Sequence, residues 1–179
     1  MIWKFIIIAF ILSACGTKVG NEKTILVENK KNDSSGVLVT DTTNKSVNEE
    51  MATYFVLVAD TGIDYYLLQR KLFKLNKLLK LPIDTMGRYY NTIKKLIALP
   101  DTSSDEIYAG QYYPRRYPSD NLSLEYLNYY QNKGPETTLA LVTGIYGNTQ
   151  EAESALTPLK KIEKNAFIVK ANIYIGCMH

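Results

Sequence analysis

A short apolar run followed by an amphipathic helical stripe occurs twice in this chain of 179 residues, and that recurrence restricts its folds more than any other feature. In the first copy Tyr54-Phe55-Val56-Leu57-Val58 favours a buried strand, and Asp60-Thr61-Gly62 punctuates it. Tyr65, Leu68, Leu72, Leu75 and Leu79 then recur at three- and four-residue steps, with Lys71, Lys74 and Lys77 between them. This spacing predicts an amphipathic helix with a basic outer face, ended by Pro82. Residues 83–99 read as a second strand and a short return.

In the second copy Leu139-Ala140-Leu141-Val142 forms a strand and residues 144–147 a turn. Ala152, Ala155, Leu156, Leu159 and Ile162 make the helix stripe, and Asn148 caps it with Glu151 three positions on. Pro158 predicts a kink or an early end, because its ring removes a donor and clashes with the preceding turn. Ala166-Phe167-Ile168-Val169 and Ile173-Tyr174-Ile175 supply a last strand, or a strand with a bulge near Asn172. Two such halves around an excursion predict a mixed α/β (α+β) domain. Its expected architecture is ferredoxin-like, βαβ–insertion–βαβ, with a four-stranded sheet, two helices on one face and the other face open.

The second half resembles the sporulation-related repeat (SPOR) family of bacterial envelope proteins. The resemblance rests on Val142-Thr143-Gly144-Ile145-Tyr146, on Glu151-Ala152-Glu153-Ser154-Ala155-Leu156 running to Leu159-Lys160, and on Ala166-Phe167-Ile168-Val169-Lys170. Residues 54–79 correspond to the first half. The chain departs from the family pattern in its long excursion, in an extra Thr before Gly144 and in Tyr146 where Phe is usual. The resemblance implies a non-catalytic domain that binds peptidoglycan.

The N-terminus fixes an address. Lys4, an apolar run from Ile6 to Leu12, then Ser13 and Ala14 before Cys15, follow the order of a bacterial lipoprotein signal. Residues 1–14 are the expected signal peptide, and Cys15 the lipidated first residue of the mature chain. The apolar block is shorter than the roughly 20 residues that span a bilayer. Gly16, where an inner-membrane retention signal has Asp, directs the expectation to the outer membrane, and the lack of an acidic cluster directly after it to the periplasmic face. Residues 16–50 contain no aromatic side chain and are rich in Lys, Asn, Thr and Ser, so residues 15–50 read as a linker. Its reach as a flexible coil is on the order of 30 Å. Within it, Val37-Leu38-Val39 is a short apolar run able to pair transiently as a strand.

All fourteen tyrosines follow that linker, so residues 51–179 are the folded domain. Loss of Lys4 takes the net charge from +3 to +2, which gives no reason to expect nucleic acid. Lipidation of Cys15 leaves Cys177 without an intramolecular partner, and Cys177 with His179 falls short of the four ligands of a structural zinc site. No cofactor or metal is expected.

The excursion, residues 100–135, is too long for a structureless loop. Tyr108, Tyr112, Tyr113 and Tyr117 surround Arg115 and Arg116, and Ser119 or Asp120 is placed to cap a helix holding Leu124, Tyr126, Leu127 and Tyr130. Tyrosine faces stack on sugar rings, and arginine forks hold carboxylates such as those of wall stem peptides. The alternative is that these tyrosines pack the excursion onto the sheet while the arginines pair with Asp101, Asp105, Glu106 or Asp120. Candidate ligand contacts are therefore Tyr54, Val56, Tyr146 and Tyr174 on or beside the sheet, with Tyr112, Tyr113, Arg115 and Arg116 from the excursion.

Asp60, Asp64, Asp84, Glu106 and Glu125 offer carboxylates for a wall hydrolase, but their spacing specifies no acid–base pair. No phosphate loop, zinc-protease helix or serine elbow occurs, and no catalytic residue is expected. The leading expectation is a lipid-anchored envelope protein binding peptidoglycan glycan strands or stem peptides. The alternative is an adaptor that engages an envelope protein complex, its Tyr and Arg side chains suited to an interface centre.

Overall fold

A computed structural model describes residues 50–132 and 134–177. The signal peptide, Cys15, the linker up to residue 49 and His179 lie outside the described residues. The elements are β1 (Met51–Gly62), α1 (Tyr65–Leu79), β2 (Tyr89–Asn91), β3 (Leu96–Ala98), β4 (Ser123–Tyr126), β5 (Leu139–Tyr146), α2 (Thr149–Lys160) and β6 (Phe167–Tyr174). Four strands form one antiparallel sheet in the order β4-β5-β1-β6, which with its two helices is the ferredoxin-like α+β arrangement expected. No described helix is long and apolar enough to cross a membrane.

Local chemistry sets the helix ends. The Asp64 carboxylate accepts the Leu67 N–H at 2.9 Å and starts α1, and Lys80, in the left-handed region at φ 59°, closes it two residues before Pro82. Asn148 accepts the Glu151 N–H at 2.9 Å and starts α2. Pro158 lies in the last turn of α2, which ends two residues later, so early termination rather than a kink resolves the expected conflict.

Alternation in the central strands builds two cores. Leu57, Ala59, Leu139, Leu141 and Leu124 pack with Leu68, Leu72 and Leu75 of α1 and Leu159 of α2, which places both helices on one face. Val56, Val58, Ala140, Val142, Val169, Ala171 and Ile173 form the other face, together with Leu127 and Tyr130. That face is therefore covered by the chain itself, where the sequence pattern predicts an open one.

Two expectations about strands are corrected. Residues 83–99 hold the β2–β3 hairpin, a separate two-stranded sheet, and the strand that completes the first half is β4. Leu124 and Tyr126 therefore lie on an edge strand and Leu127 opens a 3-10 turn, where a capped helix is predicted. The spacing of 124, 127 and 130 suits a helix, but Ser123, Leu124 and Glu125 are all buried against β5 and the excursion. Tertiary packing overrides the helical periodicity there.

An irregularity near Asn172, one of the two forms expected of the last strand, is absent from the β1–β6 register, which runs unbroken from Met51↔Tyr174 to Val58↔Phe167. It occurs instead between β1 and β5, where Leu57 opposes Gly144 but Val58 opposes Val142. Thr143 is thus the unpaired bulge residue, and Ala59 is the compensating one on β1.

Candidate functional site

The excursion is organised by a buried ion pair. Met86 and Gly87, at φ 53° and 75°, make a tight turn in which Asp84 accepts the Met86 N–H at 2.8 Å. This turn sends Arg88 inward, where its NH1 and NH2 reach the two oxygens of Glu125 on β4 at 2.7 and 2.6 Å. Arg88 Nε donates to the Thr85 carbonyl and NH1 also to the Tyr113 carbonyl, both at 2.9 Å. The Tyr112 hydroxyl donates to the same carboxylate, and Arg88 lies 5.1 Å from the centre of the Tyr112 ring. Glu125 has no exposed surface and Arg88 only 5%.

Electrostatics follow from that geometry. Burial pushes the Glu125 carboxyl up, but the hydrogen bonds and charge of Arg88, aided by Ser123 and Tyr112, outweigh it and hold the carboxyl below its ordinary range. Burial pushes the Tyr112 hydroxyl well up, and the Glu125 charge adds to this. Glu125 is therefore ionised, fully occupied and shielded from water. Such a carboxylate cannot take a proton from a substrate.

Arg115 and Arg116 are buried too, exposed by only 3% and 7%. Arg115 donates to the carbonyls of Asn121 and Ser119, at 2.7 and 2.5 Å, and to the hydroxyls of Ser123 and Ser119. Its pKa is lowered, chiefly by burial. Arg116 donates to the carbonyl of Gly176, beyond the end of β6, at 2.9 Å and, more distantly, to that of Tyr174, the last residue of β6, with the rings of Tyr113 and Tyr117 at 5.8 and 5.4 Å. Neither arginine pairs with Asp101, Asp105, Glu106 or Asp120. Backbone carbonyls take the place of the expected carboxylates.

The expected contacts are thus divided. Val56 is wholly buried under Tyr130 and Leu127 and is a core residue, not a ligand contact. Tyr54 packs at the margin of that covered face, whereas Tyr146 lies on the helix-bearing face, its ring across Gly144. Tyr112 and Arg115 serve the buried network. Tyr113 and Arg116, with Ser104, Asp105, Glu106 and Tyr117, line a cleft of about 580 Å3 that reaches Cys177, and the neighbouring Tyr174 is partly exposed. Arg88 is the functional candidate the sequence reading missed; its only signal is a cation directly after the Met86-Gly87 turn.

Comparison of the chain with protein-family profiles, with characterised proteins and with solved structures finds no match. What the arrangement does is therefore argued from its own chemistry. Four of the five candidate carboxylates are engaged separately, Asp60 with Lys71, Asp64 at the α1 cap, Asp84 in its turn and Glu125 with Arg88, and the fifth, Glu106, is exposed at the cleft. Among the described residues no group of His, Cys, Asp and Glu side chains suits a metal ion.

Proposed function

We propose that this chain is an adaptor lipoprotein, anchored through Cys15 at the periplasmic face of the outer membrane, that docks a protein of the envelope. The covered sheet face is the observation that carries this reading. A glycan strand lying across an open sheet needs Val56 and its neighbours accessible, and Leu127, Tyr130 and the Pro114–Arg116 segment occupy that place. Exposed aromatic and aliphatic side chains remain elsewhere, Tyr66, Phe73 and Tyr89 about half open to solvent and Ile93 almost fully. Surfaces of that composition, next to arginine, suit protein interfaces. Crosslinking of the lipidated chain in intact cells, followed by purification, is expected to recover an envelope protein in stoichiometric amount; recovery of wall fragments without protein overturns the reading.

A second reading keeps peptidoglycan as the ligand of a SPOR-like domain, moved from the sheet to the Arg116 cleft. The juxtaposition of Arg116, Tyr113 and Tyr117 with Asp105 and Glu106 favours it, because stem peptides carry both carboxylates and amines. Sedimentation with purified sacculi, native and amidase-treated, tests it. Binding lost on amidase treatment and on Tyr117→Ala supports stem-peptide recognition, and no binding to either preparation removes this reading.

A further inference from the structure

The outward side of α1 is chemically one-sided. Tyr66, Arg70, Phe73 and Lys77 follow one another at steps of four, three and four residues, so they form one stripe on the helix surface. All four are exposed, half of the surface of Tyr66 and Phe73 being open to solvent. Lys74 adds a third cation beside them. Among the described residues Arg70, Lys74 and Lys77 form no ion pair, and α1 contains no acidic residue. The acids nearest in sequence are already engaged, Asp60 by Lys71, Asp64 by the helix cap, and Asp84 by the Met86 N–H and Asn121.

Beside this stripe a cavity of about 130 Å3 opens between α1, the β2–β3 hairpin and β4. Tyr65, Leu72, Phe73, Ile83, Ile97 and Leu124 make its wall largely apolar, and Tyr89, 43% exposed, stands at the rim. An apolar protein cavity of about 150 Å3 accommodates a benzene ring, so this one suits a single bulky apolar side chain. The stacked rings of Tyr65 and Tyr90, 4.3 Å apart, brace α1 against the hairpin. The cavity is therefore held between rigid elements.

We infer that this groove docks an acidic segment of a partner protein, one large apolar side chain filling the cavity and flanking carboxylates pairing with Arg70 and Lys77. Charge complementarity selects that occupant: a basic peptide meets three uncompensated cations, and a neutral one leaves them unused. An anionic membrane would satisfy the cations and leave the cavity empty. The inference rests on the adaptor reading and gives it a surface and a partner chemistry.

The test titrates the full chain, carrying Cys15→Ala, against a fluorescent peptide Asp-Glu-Leu-Phe-Glu-Asp, a form with Ser-Ser for Leu-Phe, and vesicles of phosphatidylglycerol and phosphatidylethanolamine. Saturable binding of the first peptide is expected, weakened about tenfold by Arg70→Glu with Lys77→Glu and by Ser-Ser, and displaced poorly by vesicles. Both substitutions are on exposed side chains, and circular dichroism checks that the fold is kept. No binding, equal binding of the Ser-Ser form, insensitivity to charge reversal, or vesicles competing fully each overturns the inference. The charge-reversed chain is also crosslinked in cells. A protein partner still recovered there removes the groove and keeps the adaptor, whereas peptide binding by a wild-type chain that recovers no partner removes the adaptor reading.

Discussion

Arg88 and Glu125, 37 residues apart in sequence, form a bidentate ion pair with almost no exposed surface, tying the turn before β2 to the edge strand β4. Both charges have been withdrawn from water, so the pair is sensitive to loss of either partner alone. Arg88→Met is expected to destabilise the domain by about 3–5 kcal/mol by leaving Glu125 buried and uncompensated. Arg88→Met with Glu125→Leu is expected to recover much of that loss. Urea unfolding of the wild type and the two variants measures both.

The same pair predicts a pH dependence. The carboxyl of Glu125 titrates below its ordinary value of 4.5 in the folded state, so the folded state holds its proton less tightly than the unfolded chain. Its contribution is therefore present in full above about pH 4.5–5 and is lost as the pH falls through the lower folded-state value. Unfolding free energy is expected to fall more steeply below pH 4.5 in the wild type than in Glu125→Gln. Parallel curves for the two proteins would contradict the assignment.

Tyr130 holds the cover on the second sheet face, packing on the sheet and donating its hydroxyl to the Arg115 carbonyl at 3.0 Å. Tyr130→Phe removes only the hydrogen bond and is expected to cost about 1 kcal/mol. Tyr130→Ala opens the face over Val56 and Val142 and is expected to cost about 3–5 kcal/mol. The alanine variant, and not the phenylalanine one, should bind a hydrophobic dye at concentrations where it remains folded.

Gly144 and Tyr146 are two residues apart on β5 and so share a face, and a Cβ at Gly144 would meet the Tyr146 ring at 2.5–2.7 Å. Gly144→Ala is expected to destabilise by about 1–3 kcal/mol, by forcing the ring away. In a Tyr146→Ala background the same change should cost less. A double-mutant cycle by thermal unfolding reads the difference.

Periodicity was readable wherever a segment buries one face against one neighbour. The α1 stripe at Leu68, Leu72 and Leu75 and the Asn148 cap of α2 appear in the structure as the residue spacing predicts. The segment containing Leu124, Tyr126, Leu127 and Tyr130 was not readable in this way. Its helical spacing serves two surfaces, the helix-side core for Leu124 and the covered face for Leu127 and Tyr130, joined by a strand and a 3-10 turn. Of the candidate contacts that the sequence groups, the fold leaves Tyr113 and Tyr117 beside Arg116 but sends Tyr112 to Glu125 and the Arg115 side chain to Asn121, Ser119 and Ser123. Nothing in the sequence signals that backbone carbonyls receive the two arginine charges, because carbonyl positions are set by the fold.

Taken alone, the sequence determined β1, α1, β5, α2 and β6 and, from their order, the ferredoxin-like class, but not β4, because hydrophobic period is a local property of the chain and the spacing in β4 is helical. Only the tertiary structure decided that Thr143 is a bulge, that Arg88 meets Glu125, and that the second sheet face is closed. Each of these depends on which distant segments come into contact. Burial of a charge or a strand face is a property of that contact, and no single segment carries it.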